Sequence, residues 1–144
     1  MPLDKVKHIV SNIIKGDVKP IYFLMGEEAY YIDALSKFIE TNVLSEEEKG
    51  FNQTVFYGRE VKIEDLVSSA KRFPMMAERQ VIIVKEAQDL SRTIENLVSY
   101  AENPQPSTVL VICYKYKKLD KRKKIYKAIE KNGLIFESKK IYDN

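Results

Sequence analysis

The sequence contains only one cysteine and one histidine, Cys113 and His8. One cysteine cannot form an internal disulfide, and these two residues are too few for a zinc or haem site. Cys113 lies inside an apolar run, where a structural thiol is expected rather than a nucleophile. A serine nucleophile of the Gly-x-Ser-x-Gly type is also absent. We therefore predict no metal, no cofactor and no catalytic residue.

Long apolar segments are absent as well. No run approaches the roughly 18 residues that span a bilayer, and the segment after Met1 lacks the apolar core of a signal peptide. With its lone cysteine, the chain is predicted to be cytoplasmic and to have no membrane partner. It has the usual length of one domain and contains no linker or repeat. Residues 1–144 are accordingly predicted to form a single domain.

Positive charge is concentrated near the carboxyl end. Residues 115–144 contain 11 Lys/Arg and 4 Asp/Glu, although the net charge of the whole chain is only +3. Such a segment can contact an acidic partner, including nucleic acid, or it can be the solvated face of a lysine-rich helix. The candidate contact residues are Lys117, Lys118, Lys121, Arg122, Lys123 and Lys124.

Apolar spacing predicts alternating helices and strands. Five short apolar runs are typical of buried strands, and helical stripes lie between them. These runs cover residues 21–25, 54–57, 81–84, 109–113 and 134–136. Strict alternation of this kind predicts an α/β fold in which helices cover both faces of a mostly parallel sheet.

Three side chains are candidate helix caps. Ser45 has capping-box spacing to Glu48, which predicts a short helix there. Ser91 precedes a helical stripe that runs to Ala101, and Asp120 precedes the basic segment. Both residues are predicted to cap the helices that follow them.

A glycine-rich phosphate loop is missing where such a fold would carry it. Ligands of α/β sheets bind beyond the carboxyl ends of the strands, and a phosphate loop after the first strand needs the pattern G-x-x-x-x-G-K-[ST]. Gly26 supplies the first glycine. However, Tyr31, Ile32 and Asp33 stand in place of the second glycine, the lysine and the hydroxyl residue.

The third strand lacks the acidic end that would hold magnesium. It is followed by Lys85 and Glu86, and a cation at Lys85 opposes metal binding. Glu27 and Glu28 would also repel phosphate, and they suit the start of a helix. The pattern indicates a nucleotide-binding scaffold without nucleotide chemistry. A divergent ATPase and a stand-alone nucleic-acid-binding module remain the alternatives.

Two methionines precede the third strand, directly after a proline. Pro74 disfavours helix at Phe73, so Met75 and Met76 are predicted to lie on a separate turn. Adjacent methionines cannot both point inward from one regular face. They either pack over the end of the sheet or form an adaptable binding surface. Phe73 is expected to be an anchor beneath this turn.

Four segments together resemble the N-terminal domain of the delta-subunit family of bacterial DNA polymerase III clamp loaders. They are residues 20–28 with 31–33, residues 72–84, residues 108–111 and the basic segment that ends at Gly133. The resemblance implies a three-layer P-loop NTPase-like (AAA+) domain with a five-stranded parallel sheet in the order 5-1-4-3-2. The helical and collar domains that follow in the family are expected to lie outside this chain.

The resemblance also implies a noncatalytic role in DNA replication. Members of the family bind the β sliding clamp and open its ring for loading onto primed DNA, alongside gamma/tau and delta prime subunits. They do so without hydrolysing ATP. The clamp contact maps to Met75 and Met76, with Phe73, Pro74 and Ala77 around them. The basic residues are then candidates for contact with DNA or with a neighbouring subunit.

Overall fold

Helices and strands alternate along residues 2–140, the part of the chain that the computed structural model describes. The helices are α1 (Pro2–Ile14), α2 (Ala29–Asn42), α3 (Glu46–Asn52), α4 (Ile63–Ala70), α5 (Val98–Glu102) and α6 (Lys124–Asn132). The strands are β1 (Ile21–Gly26), β2 (Gln53–Tyr57), β3 (Gln80–Lys85), β4 (Thr108–Lys115) and β5 (Leu134–Ser138). The five apolar runs are therefore strands, as predicted.

The strands form one parallel sheet in the order β2-β3-β4-β1-β5. This is the predicted order 5-1-4-3-2, counted from the opposite edge. The three central strands carry the longest apolar runs and are almost wholly buried, whereas β2 and β5 form the partly exposed edges. The α/β class follows from the same alternation, because parallel strands need crossover connections.

Alternate residues along each strand pack against opposite layers of helices. On one face, Phe23 and Ile82 belong to a core completed by α4, α5 and α6. On the other face, Leu24 and Ile83 pack with the apolar sides of α1 and α2. Burying one such side chain contributes about 1.5–3 kcal/mol, so the two cores dominate the stabilisation of the three layers.

Because the strands are parallel, their carboxyl ends lie on one side of the sheet and their amino ends on the other. We call these two sides the carboxyl edge and the amino edge. The carboxyl ends of β1, β3 and β4 lie together at Gly26, Lys85 and Lys115, since the registers pair these strands side by side. The segment at residues 71–79 enters β3 from the opposite, amino edge. The nucleotide-type edge and the methionine pair therefore lie at opposite ends of the sheet.

Two of the predicted helix caps are wrong. Ser91 ends a 3₁₀ helix at Ala87–Leu90, and a second 3₁₀ helix at Ile94–Leu97 precedes the short α5. Over one turn, apolar spacing fits a 3₁₀ helix and an α-helix equally well. By contrast, the Ser45 capping box is confirmed, with the Ser45 amide donating to Glu48 Oε1 at 3.0 Å.

Asp120 does not cap α6. Its carboxylate accepts hydrogen bonds from the Arg122 amide at 2.9 Å and from Arg122 Nε and Nη2 at 3.0 and 2.8 Å. Such local bonds compete with capping, and α6 begins later, at Lys124. The predicted basic helix is therefore present, but it begins at Lys124, and the cations at residues 117–123 lie in the preceding loop. Among residues 2–140, no helix is long and apolar enough to cross a membrane.

Candidate functional site

A lysine that the sequence did not single out organises the carboxyl edge of the sheet. Lys115 Nζ lies 2.9 Å from Asp33 Oδ1 on α2 and 2.9 Å from Glu86 Oε2 after β3. Only 13% of the Lys115 side chain is exposed. Burial disfavours its charge, but the hydrogen bonds that Lys115 donates to Asp33 and Glu86 outweigh burial and raise the pKa of Lys115. One ammonium group thus joins three elements.

Glu86 is held as a charged carboxylate in this cluster. The hydrogen bond from Lys115, followed by one from Gln88 Nε2 at 2.8 Å, lowers the pKa of Glu86. Its backbone is left-handed, with φ of 52°. A general base works best when its pKa lies near the working pH, and this environment moves Glu86 away from that range.

Lys85 lies at the strand end where an active P-loop domain carries its magnesium-binding aspartate. Its Nζ is 3.8 Å from Glu40 Oε1, across a cleft of about 330 Å³ that Lys115 also lines. Cys113 borders the same cleft, and burial raises the pKa of its thiol to about 11. A protonated, buried thiol is a weak nucleophile, in keeping with a structural role. Among residues 2–140, no group of three acidic, histidine or cysteine side chains could hold a metal ion.

The chain's own backbone occupies the turn after β1. The Gly26 amide donates to the Lys117 carbonyl at 3.0 Å, and the Glu28 amide donates to the Ser138 carbonyl at 3.2 Å. Gly26 has φ of 121°, and a Cβ there would collide with the Ser138 backbone. In a phosphate loop, backbone amides in this turn point at phosphate. Here two of them are already bound to the protein.

The other residues of the degenerate phosphate loop have become part of α2. The helix begins at Ala29, with the Glu28 carboxylate accepting from the Tyr30 amide at 3.2 Å, so the interpretation of Glu28 as a helix-start residue is confirmed. Ile32 is fully buried in the core beside α1. Ile32, at the lysine position of a phosphate loop, thus packs into the core instead of presenting a cation to phosphate.

Residues 71–79, which we call the methionine loop, present an apolar surface at the amino edge. Met76 is 100% exposed, Met75 62% and Phe73 77%, while Pro74 and Ala77 are half-buried. Because α4 ends at Ala70, the methionines lie beyond the helix on a separate turn, as predicted. The expectation that Phe73 is an anchor beneath the turn is wrong, since its ring faces solvent.

Two buried amide side chains hold this loop. Gln80 Nε2 donates to the carbonyls of Ser69 and Arg72 at 3.0 and 2.7 Å, at the start of the loop. Asn52, at the end of α3, bonds both backbone groups of Met75. Sequence reasoning missed both amides. The only signal was a polar residue at the boundary of a buried element, which is too common to single them out.

The basic candidates surround the loop between β4 and α6. Lys117 Nζ donates to Ser91 Oγ at 3.1 Å, and Lys123 Nζ lies 3.3 Å from Glu95 Oε1. Arg122 is engaged by Asp120, as described above. All six candidates are exposed, including Lys118, Lys121 and Lys124. Lys117 and Lys118 border a pocket beside Gly26, whereas Lys123 and Lys124 border a separate pocket beside Glu95. None of the six candidates lines the cleft at Lys85.

Comparisons with known proteins agree with this geometry. The family model for "DNA polymerase III, delta subunit" matches residues 22–139. The DNA polymerase III subunit delta of Bacillus subtilis is 35% identical over 140 residues, covering 91% of this chain and 40% of the relative. The chain therefore spans less than half the length of this relative.

Solved structures show the same fold. The Bacillus subtilis DNA clamp loader delta protein superposes with a TM-score of 0.80 at 32% identity, over 94% of this chain and 43% of that one. The RuvB Holliday junction branch migration motor of Thermotoga maritima superposes with a TM-score of 0.54 at 19% identity, over 95% and 44% of the two chains, a likeness of fold alone. The fold is therefore AAA+-like, and the chain belongs to the family of DNA polymerase III delta subunits.

Proposed function

We propose that this chain binds a β sliding clamp through the methionine loop and favours the opened ring, without hydrolysing ATP. The exposure of the apolar loop carries the proposal. Met76 is fully exposed and Met75 is 62% exposed, although both are apolar. Exposed apolar clusters on a folded domain mark interaction surfaces, and the family includes a protein described as a DNA clamp loader. Methionine suits a pocket of irregular shape because it is flexible and polarizable.

Opening a ring requires differential affinity. A subunit that consumes no nucleotide shifts the ring only by binding the open form more tightly than the closed form. Changing the open fraction from about 1% to about 99% takes about 5.5 kcal/mol of preference. Burial of two methionine side chains supplies about 3–6 kcal/mol. The two methionines therefore suffice to open the ring only if the clamp pocket that receives them is available mainly in the open ring.

The carboxyl edge supports the absence of ATP chemistry. Lys115 forms ion pairs with both Asp33 and Glu86, Ile32 replaces the phosphate-binding lysine, and the amides of Gly26 and Glu28 bind carbonyls. A nucleotide would have to displace these internal contacts, and its magnesium ion would meet the cation of Lys85 in place of an acidic ligand. The chain accordingly acts as a noncatalytic component of the clamp loader.

Replacement of both methionines by alanine tests the clamp contact. Because exposed anchors contribute to binding rather than to folding, Met75→Ala with Met76→Ala should weaken clamp affinity at least about 30-fold and leave the unfolding midpoint nearly unchanged. Titration of the full-length protein with clamp measures the effect. Ile14→Ala removes an apolar side chain that is 73% exposed elsewhere and serves as the control. Equal affinities for wild type and the double variant would refute the proposal.

The exposed cations around the loop between β4 and α6 support a second proposed contact. The partner is either primed DNA or the gamma/tau and delta prime subunits. Lys118, Lys121 and Lys124 are exposed, so phosphate groups can reach them. Charge reversal at these lysines distinguishes the two partners. Loss of salt-dependent DNA binding by the assembled loader identifies DNA, whereas loss of assembly identifies a neighbouring subunit.

A further inference from the structure

The side chain of Asn52 connects α3 to the middle of the methionine loop. Its Nδ2 donates to the Met75 carbonyl at 2.8 Å and to the Glu48 carbonyl at 3.0 Å, and its Oδ1 accepts from the Met75 amide at 2.7 Å. Both backbone groups of Met75 are thereby bound by one amide from 23 positions earlier in the chain.

Asn52 is itself rigidly placed. Only 3% of the residue is exposed, and it lies at the end of a helix whose start is fixed by the Ser45 capping box. A buried amide that satisfies its hydrogen bonds in one geometry tolerates little displacement, because leaving its groups unpaired is costly. Met75 is therefore attached to a fixed point of the fold and not merely to a neighbouring loop.

The residue after this attachment has a strained backbone. Met76 adopts φ of 55°, in the left-handed region that side chains other than glycine rarely occupy. Such a conformation persists when the surrounding structure imposes it. The Met76 side chain is fully exposed, so contacts of its own side chain cannot impose it. The hydrogen bonds at Met75 are the adjacent constraint.

The same constraint keeps apolar groups in solvent. A flexible loop would allow Met75 and Met76 to fold back onto the nearby surface, which includes a cleft bordered by Leu44, Glu48 and Met76 itself. Holding the Met75 backbone opposes that collapse. It also reduces the entropy that a binding partner would otherwise have to remove when the loop is ordered.

We infer that Asn52 is a positioning residue that keeps the methionine loop in its binding-competent conformation. This inference rests on the proposed clamp contact for its consequence, but not for its structural content. If Asn52 sets the competent fraction of molecules, then its loss lowers the apparent affinity in proportion to that fraction. The association rate falls, while the dissociation rate of the complex stays close to that of wild type.

The variant Asn52→Leu tests the inference in the full-length protein, since leucine retains the volume of the side chain and removes its hydrogen bonds. We expect amide hydrogen exchange at Met75 to become at least about tenfold faster, because its acceptor is lost. We also expect clamp affinity to fall about tenfold, equivalent to about 1.4 kcal/mol, and mainly through slower association. The Met75 and Met76 alanine variant should instead dissociate faster, because it loses contacts.

Asn132→Leu is the matched control. Asn132 also ends a helix and donates from Nδ2 to two backbone carbonyls, of Ala101 and Glu102 at 3.0 and 3.2 Å, away from the methionine loop. Asn132 is half-buried, so its replacement should cost some stability without changing Met75 exchange or clamp association. A decrease in clamp affinity of the same size in both leucine variants would assign the effect to stability and overturn the inference.

Asn52→Asp supplies a second test if the leucine variant folds poorly. The ionised carboxylate accepts from the Met75 amide but faces the carbonyls of Met75 and Glu48 without a proton to donate. Once protonated, it can donate one hydrogen bond again. Clamp association should therefore recover at acidic pH relative to wild type measured at the same pH. Absence of this recovery, with Met75 exchange as slow as in wild type, would show that Asn52 does not position the loop.

The two proposals fail in different ways. If the double methionine variant binds the clamp normally, the clamp contact lies elsewhere, and the exchange rate at Met75 still decides whether Asn52 holds the loop. If the double variant loses binding while Asn52→Leu leaves exchange and association unchanged, the clamp contact stands and the positioning role of Asn52 is refuted.

Discussion

At the carboxyl end of β3, Lys85 and Glu86 each face an opposite charge, whereas at its amino end the methionine loop leaves three large apolar side chains in solvent. Each end also has one left-handed residue that is not glycine, Glu86 or Met76. The side chain of Glu86 is bound by Lys115, while that of Met76 is free to meet a partner.

This difference indicates which end of β3 has groups available to bind another molecule. Groups that satisfy one another inside the protein offer little to a ligand, because binding must first replace their existing hydrogen bonds. Apolar groups kept in solvent by a rigid backbone gain by being covered. Internal contacts engage Lys85, Glu86 and Lys115 at the carboxyl edge, whereas the proposed external contact lies at the opposite edge.

Lys115→Met should lower the free energy of unfolding more than replacement of the exposed methionines at the other end of β3. Methionine keeps the stem of the side chain, but Asp33 and Glu86 lose their shared cation and repel each other. Both carboxylates are substantially exposed, so we expect a loss of about 1–2 kcal/mol rather than the larger cost of a fully buried pair. Urea unfolding measures it. Clamp affinity should stay within about twofold of wild type, since the two ends share only β3.

Lys115→Met also tests whether features other than the ion pairs of Lys115 prevent ATP binding at the carboxyl edge. We expect no ATP binding by calorimetry, because the amides of Gly26 and Glu28 still bind carbonyls. ATP binding by Lys115→Met would contradict this view and assign the block to Lys115 alone. A marked loss of clamp affinity would instead show that the two ends of β3 are coupled.

The pH dependence of Lys115→Met has a defined sign. The pKa of Glu86 is lowered in the folded state, mainly by the hydrogen bond from Lys115, so the unfolded state binds its proton more readily. The contribution of Glu86 is therefore complete above about pH 4.3 and is lost as pH falls through its folded pKa. Wild type should lose more stability than Lys115→Met in that acidic range. Parallel acid curves would show that the ion pair contributes little.

The sheet was predictable because its signal is local. The runs at β1, β3 and β4 are apolar at every position, which leaves few alternatives to a central strand. The strand order came from the family resemblance, since spacing alone cannot order parallel strands. The α-helix after Ser91 was predicted to start too early, because one turn of apolar spacing does not distinguish the 3₁₀ helix at Ile94–Leu97 from an α-helix.

The sites depended on contacts between distant residues. Lys115 was one cation among many in a basic segment, and its partners Asp33 and Glu86 meet it only after the sheet forms. Asn52 and Met75 are joined across 23 positions. Phe73 was expected beneath the loop but is 77% exposed, because the exposure of a side chain depends on how its loop is held. The sequence indicated the methionine pair, while the constraint on it required the structure.

The smallest change in the free energy of unfolding is expected between Met76→Ala and Met76→Gly. Comparing these two variants distinguishes the contribution of the Met76 backbone from that of its side chain. Both replacements remove a fully exposed side chain, but only glycine relieves the left-handed φ of 55°. Met76→Gly should therefore be about 1 kcal/mol more stable than Met76→Ala in urea unfolding. At Met75, which is not left-handed, the order should reverse, because glycine loses more entropy on folding.

Glu86→Gly completes the comparison of the two ends of β3. It relieves a similar φ but removes the bond to Lys115, so no gain in stability is expected. If Glu86→Gly stabilises the protein as much as glycine at position 76 does, the ion pair at the carboxyl end contributes nothing, and the two ends differ less than their contacts indicate.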